Sequence, residues 1–203
     1  MTAYSSEHLS EMKKRLRRNM RALRGALDSD TRSTFDHSIR HQLQQLVEDR
    51  GCRSIAAYWP FNGEPDITPL FEPWKTAGCE LALPVVSGQD DHAMQFHAWQ
   101  PGAELTANRY GIFEPLGAPV VELADCDLLL MPLVAYDAAG NRLGMGKGYY
   151  DRHLSPLRNE PSPLRAGIAY SLQQAGALHA NPWDVPLHGL VNERGWFTFT
   201  ELH

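Results

Sequence analysis

The chain has 203 residues, 43% of them hydrophobic and 21% charged, a length that favours one domain over 1–203 that folds without disulfide or metal staples. Its 19 basic against 24 acidic residues give a net charge of −5, which argues against a broad nucleic-acid-binding face. Cys52, Cys79 and Cys126 form no Cys-x-x-Cys pair, so they read as reduced, buried thiols and not as a disulfide framework or zinc site.

The longest apolar run, residues 128–136, has the length of a strand and contains Pro132, whereas a membrane span needs roughly 20 residues. Ser5, Ser6, Glu7 and His8 offer no apolar export segment, so the expected location is the cytoplasm, with no membrane partner.

In chain order, Leu9, Met12, Leu16, Met20, Leu23 and Leu27 recur at intervals of three and four and predict an amphipathic helix. Ser29 or Asp30 can cap a second helix carrying Phe35, Ile39, Leu43, Leu46 and Val47, which Gly51 would end. Residues 54–59 and 80–86 then read as strands. Between them lies a short helix opened by Asp66, closed by Gly78 and shortened or kinked by Pro73. Residues 94–99 predict another strand. Residues 127–135 are apolar on both faces, as in the centre of a parallel sheet covered by helices. A helix over 150–157, strands over 165–170 and 187–191, and a mobile surface loop over 155–163 complete the pattern. Strands alternating with helices over this length predict one α/β layered domain.

The segment Asn141-Arg142-Leu143-Gly144-Met145-Gly146-Lys147-Gly148-Tyr149-Tyr150-Asp151 follows the most buried strand and leads into a helix, the end of an open α/β sheet where ligands bind. Its alternating glycines would let backbone N–H groups approach phosphate oxygens, helped by the helix start. Arg142 and Lys147 add formal charge, and Asp151 could hold magnesium beside the phosphates. The alternative is a glycine-rich turn with a solvated Lys147 and a helix-start Asp151. Asn141 and Gly148 break the Walker pattern, and the glycine spacing is not the dinucleotide fingerprint. From the residues alone both readings stay open.

Residues 131–137 (Met-Pro-Leu-Val-Ala-Tyr-Asp), Gly140, Arg142-Leu143-Gly144 and Gly146 to Asp151 together resemble the signature of the 5-formyltetrahydrofolate cyclo-ligases, also called methenyltetrahydrofolate synthetases. Lys13 with Arg17, Gly63-Glu64 with Asp66, Gly111-Ile112 with Glu114-Pro115, and Trp183-Asp184 extend the resemblance over nearly the whole chain. It implies a three-layer α/β/α fold with a mostly parallel sheet, similar to the sugar-phosphate isomerases and CoA transferases. It further implies ATP- and Mg2+-dependent closure of 5-formyltetrahydrofolate to 5,10-methenyltetrahydrofolate, with release of ADP and phosphate.

The implied residues follow position by position. Lys13 and Arg17, four apart on one helix side, would meet ATP with Arg142, Leu143, Gly144, Met145, Gly146, Lys147, Gly148, Tyr149 and Tyr150. Lys147 and Arg142 are the expected catalytic cations. Glu64 would accept the two adjacent N–H donors of the pterin, and Trp59, Tyr149 and the 145–148 segment would line the folate, with Phe61 a further candidate wall. Asp151 and Asp184 are the expected magnesium ligands. Lys14, Arg15, Arg18, Arg21 and Arg24 read as a solvated face or a loose RNA-attracting stripe.

His188 and Asn192 depart from the family's Asp and Thr and weaken the alignment around Asp184, and His188 is assigned no role. Three other readings remain: a non-catalytic reduced-folate or nucleotide binder of the same fold, a sugar-phosphate isomerase or CoA transferase relative, and an RNA-binding module.

Overall fold

A computed structural model describes residues 5–86 and 94–199. Helix α1, Ser6–Gly25, is capped by the Ser5 hydroxyl, which accepts from the His8 N–H. Helix α2, Ser29–Arg50, is capped by Asp28, one residue earlier than expected, because Asp28 is extended and its carboxylate reaches the Thr31 N–H at 2.8 Å. Gly51 ends α2 in the left-handed region at φ 61°, where only glycine sits without strain.

The strands are β1 Ser54–Ala56, β2 Glu80–Val86, β3 Met94–Trp99, β4 Leu105–Ala107, β5 Phe113–Pro115, β6 Val120–Val121, β7 Leu128–Pro132, β8 Ala135–Tyr136, β9 Arg142–Leu143, β10 Leu164–Ile168, β11 Gly189–Asn192 and β12 Gly195–Thr198. Eight of them form one sheet in the order β12-β11-β10-β7-β1-β2-β3-β6. Its centre, from β11 to β2, is parallel, and β12, β3 and β6 join antiparallel at the edges. Two hairpins, β4–β5 and β8–β9, stand outside it.

Alternate strand residues serve opposite faces. Ile55, Leu128, Leu130, Ala166 and Ile168 pack with Ile39, Leu43 and Val47 of α2 and with Phe71 and Trp74 of α3, Phe71–Thr76. Ala56, Leu129 and Met131 face the other way, toward Phe96, Val185 and Leu154 of α4, Tyr149–Leu154. The result is the expected α/β fold, a mostly parallel sheet with helices on both faces.

Several predicted boundaries move. The strand expected over 54–59 ends at Ala56, and Tyr58 turns out of the sheet to donate to the Pro65 carbonyl at 2.7 Å. The strand expected over 127–135 stops at Pro132, which has no N–H to continue the ladder. The strands expected over 165–170 and 187–191 run Leu164–Ile168 and Gly189–Asn192. Between Asp66 and Gly78 the chain forms a 3-10 turn, Thr68–Leu70, and then the six-residue α3 containing Pro73. The helix expected over 150–157 divides into α4 and a 3-10 turn, Ser155–Leu157, that opens the predicted surface loop with Pro156 in its first turn.

Candidate active site

A cleft of about 580 Å³ lies over the carboxyl ends of β1, β2 and β7, the place that the parallel topology dictates. Its lining includes every site residue expected from sequence: Lys13, Arg17, Trp59, Glu64, residues 142–151 and Asp184. The fold thus brings together segments more than a hundred residues apart.

The glycine segment is reached differently from the sequence expectation. Its glycines follow the β8–β9 hairpin, whose second strand is Arg142–Leu143, and not the central strand directly. Gly146 and Gly148 take φ values of 102° and 67°, and a Cβ on Gly146 would lie 3.2 Å from Arg17 Cζ. Arg17 lies across the loop, its Nε donating to the Gly144 carbonyl at 2.8 Å. Burial pushes the Arg17 guanidinium down from its ordinary value, and Asp184 partly offsets this. Arg152 braces the loop through the Lys147 carbonyl at 2.7 Å, and Lys147 itself is exposed. Helix α4, with six residues, adds less dipole than the sequence reading assumed.

The carboxylates are committed to protein contacts. Asp151 Oδ1 accepts from Arg142 Nη2 at 2.8 Å and from the Val185 N–H at 3.1 Å. Asp151 also lines the cleft. Asp184 Oδ2 accepts from the Asn181 N–H at 2.8 Å and lies 3.8 Å from Lys13 Nζ. Among the described residues no group of three His, Cys, Asp or Glu is placed to hold a metal. This donor set does not form an all-protein cage. It fits a cation that takes one or two carboxylates and completes its shell with phosphate and water, the usual habit of magnesium.

At the other wall, Glu64 Oε2 accepts from the Phe61 N–H at 3.0 Å. Burial raises its carboxyl from 4.5 to about 7, with Arg24 the charge that opposes the rise. Trp59 meets Phe113 and Phe71 edge-on at 5.7 and 6.3 Å, so its ring is fixed before anything binds. Tyr149 Oη lies 3.2 Å from Tyr110 Oη. Tyr150 packs edge-on against Phe96 at 6.4 Å, and burial pushes its phenol upward.

Two features escaped sequence reading. The β4–β5 hairpin contributes Asn108, Tyr110, Ile112 and Glu114 to the cleft. Its strands have three residues each, too few to show a period, though the Gly111-Ile112 and Glu114-Pro115 matches marked the place. The second is Arg24, expected on a solvated face and instead 1% exposed. Leu23, expected on the apolar face, is 53% exposed. The helix period identified α1 but not the residue that enters the core. Arg15, Arg18 and Arg21 are exposed, as expected. His188, given no role, is buried against Arg165, where burial and the neighbouring guanidinium lower it to about 4.

A profile of the 5-formyltetrahydrofolate cyclo-ligase family matches residues 9–193. The chain belongs to this family. A 5-formyltetrahydrofolate cyclo-ligase of Haemophilus influenzae is 33% identical, over 90% of this chain and 98% of that protein. One from Mycoplasma pneumoniae is 31% identical, over 89% and 98%. The NMR structure of Aquifex aeolicus 5,10-methenyltetrahydrofolate synthetase is similar with a TM-score of 0.80 at 33% identity, covering 94% of each chain. As a cyclo-ligase the chain is an enzyme of the ligase class, so the sequence readings as a non-catalytic binder, an isomerase relative or an RNA-binding module are set aside.

Proposed function

We propose that the chain uses ATP and Mg2+ to convert 5-formyltetrahydrofolate into 5,10-methenyltetrahydrofolate, ADP and phosphate. The observation that carries this reading is one cleft lined by both the glycine segment with Lys13 and Arg17 and, on another wall, Glu64 and Trp59. A formyl oxygen is a poor leaving group until it is phosphorylated. In the proposed course this oxygen attacks the γ-phosphorus, and the bond from phosphorus to the ADP oxygen breaks. The neighbouring folate nitrogen then attacks the activated carbon and loses its proton, and the C–O bond breaks with departure of phosphate. Transfers of this kind depend on positioning and charge neutralisation more than on a covalent nucleophile.

Lys13, Arg17 and Lys147 would neutralise the phosphates with the 143–150 backbone beside them. Arg142 would act in two ways, through its ion pair to Asp151 and through a buried Nε that has no partner among the described residues. Asp151 and Asp184 would hold magnesium, which supplies charge neutralisation at the phosphates. Glu64 would accept the pterin N–H donors, with Trp59, Phe61 and Tyr149 against the ring.

Reduced folate and ATP are the proposed small-molecule partners. Cytoplasmic placement belongs to the same proposal and is supported by three free, buried cysteines. Among the described residues no helix is long and apolar enough to cross a membrane. Purified protein mixed with ATP, magnesium and 5-formyltetrahydrofolate should generate the near-ultraviolet absorbance of the methenyl product. Binding of both ligands without that signal would overturn the proposed reaction.

A further inference from the structure

The segment carrying Glu64 is gripped through its backbone carbonyls from three directions. Arg24 Nη2 donates to Asn62 O at 2.9 Å, and Arg32 Nη1 donates to Gly63 O at 3.0 Å. Tyr58 Oη donates to Pro65 O at 2.7 Å, and Arg40 Nη1 to Asp66 O at 2.9 Å. A neutral hydroxyl suffices at Pro65, so a carbonyl alone does not explain a buried guanidinium, whose desolvation is costly. Arg24 is the deepest of the three arginines, at 1% exposure. Its Nη1 also reaches Leu133 O at 3.3 Å, just beyond the central strand, and its Nε has no hydrogen-bond partner among the described residues. Glu64 is the acid that most favours its charge.

We propose that Arg24 is a positioning residue for the reduced-folate site, joining the 62–64 segment to the end of β7 and keeping Glu64 an acceptor for the pterin N–H donors. This rests on the reading of Glu64 given above. The groups that act on Glu64 fit it: Arg24 opposes the upward push of burial and the Phe61 N–H stabilises the carboxylate, while Tyr58 and Tyr150 are neutral phenols whose own ionisation Glu64 disfavours. Without Arg24 the carboxyl would hold its proton to higher pH and present a donor where the ligand also presents donors.

The test is steady-state kinetics of Arg24→Met and Arg24→Lys beside Glu64→Gln. Arg24→Met should raise KM for 5-formyltetrahydrofolate at least about tenfold and leave KM for ATP within about twofold. It should also move the rise of folate kcat/KM with pH upward by about half a unit or more. Arg24→Lys keeps a charge but cannot span both carbonyls, so its midpoint should stay near wild type while its folate KM rises about threefold. A merely structural Arg24 would lower melting temperature and leave the pH midpoint unmoved, which would overturn the proposal.

Should Arg24→Met not fold, Arg24→Lys decides: a raised folate KM with ATP unaffected supports the role, and unchanged constants for both overturn it. Full folate affinity in Glu64→Gln would instead remove the reading of Glu64, and this proposal with it. Weakened folate in Glu64→Gln together with wild-type behaviour in Arg24→Met would remove only the role of Arg24.

Discussion

At Glu64, which lines the cleft, burial moves ionisation above the ordinary carboxylate range. With its carboxyl at about 7 and not 4.5, the folded chain holds the proton where the unfolded chain has lost it. Its contribution therefore favours the fold below pH 4.5 and is lost as pH rises through 7. Glu64→Gln stays neutral, so its stability relative to wild type should improve by about 1–3 kcal/mol between pH 5 and pH 8, read as a difference in melting temperature. Binding runs the opposite way. Pterin donors require the carboxylate, so folate binding at pH 6.5 should release a proton and tighten as pH rises, and Glu64→Gln should weaken folate about tenfold or more while sparing ATP. Calorimetry in two buffers of different ionisation enthalpy checks this, and identical heats would remove Glu64 as the acceptor. Asp151 pairs with Arg142 and in the proposed function would also hold magnesium. Arg142, its partner, has a side chain only 5% exposed, so Asp151→Asn should cost about 1–3 kcal/mol by leaving a buried cation without its countercharge. The same change should raise the magnesium concentration giving half-maximal turnover. Magnesium titrations that superimpose on wild type would confine Asp151 to the ion pair.

Among the elements, the glycine segment shows what the chain order concealed. Its residue types and their order read as a phosphate site, yet the proposed seat also needs Arg17, which comes from α1 and lies against Gly146. Gly146→Ala places a methyl group within 3.2 Å of Arg17 Cζ at a backbone φ of 102°. The variant should fold with a loss of about 1–2 kcal/mol and raise KM for ATP about tenfold or more by dislodging the guanidinium. Fluorescent-nucleotide titration would read it, and wild-type affinity would mean that Arg17 does not seat the phosphates. Helix α2 was legible for the same reason that it is stable: it buries Ile39, Leu43, Leu46 and Val47 at helical spacing, and that repeat is visible in sequence. The apolar repeat of α1, in contrast, marked the helix although its leucines and methionines are at most half-buried. The β8–β9 hairpin has two residues per strand and exists through tertiary pairing alone. Arg24 was hidden for a related reason. Its type is that of a surface residue, and only the loop packed over α1 makes it interior.

At the scale of the whole molecule, one cleft draws on residues 13–17, 59–64, 108–114, 142–151 and 181–184, while the core lies mainly beneath, on the two faces of the sheet. Helix α1 lines this cleft more than it joins the core. Among its described side chains Arg24 alone is fully buried, and its ties to the body include Arg17 to Gly144 O and Arg24 to Leu133 O and Asn62 O. Helix α2, in contrast, buries Ile39, Leu43, Leu46 and Val47. An element with little apolar burial opens at low free energy, so α1 should exchange its amide hydrogens faster than α2 in the free protein. A ligand that binds only the docked form stabilises it by mass action, by about 2.7 kcal/mol at a hundred times its dissociation constant. ATP with magnesium, its phosphates met by Lys13 and Arg17 in the proposed site, should therefore slow exchange along α1 by up to about a hundredfold and along α2 far less. Exchange measured by mass spectrometry with and without nucleotide separates the cases. If α1 already matched α2 in the free protein, or if nucleotide slowed both equally, α1 would be a fixed wall and its docking would play no part in binding.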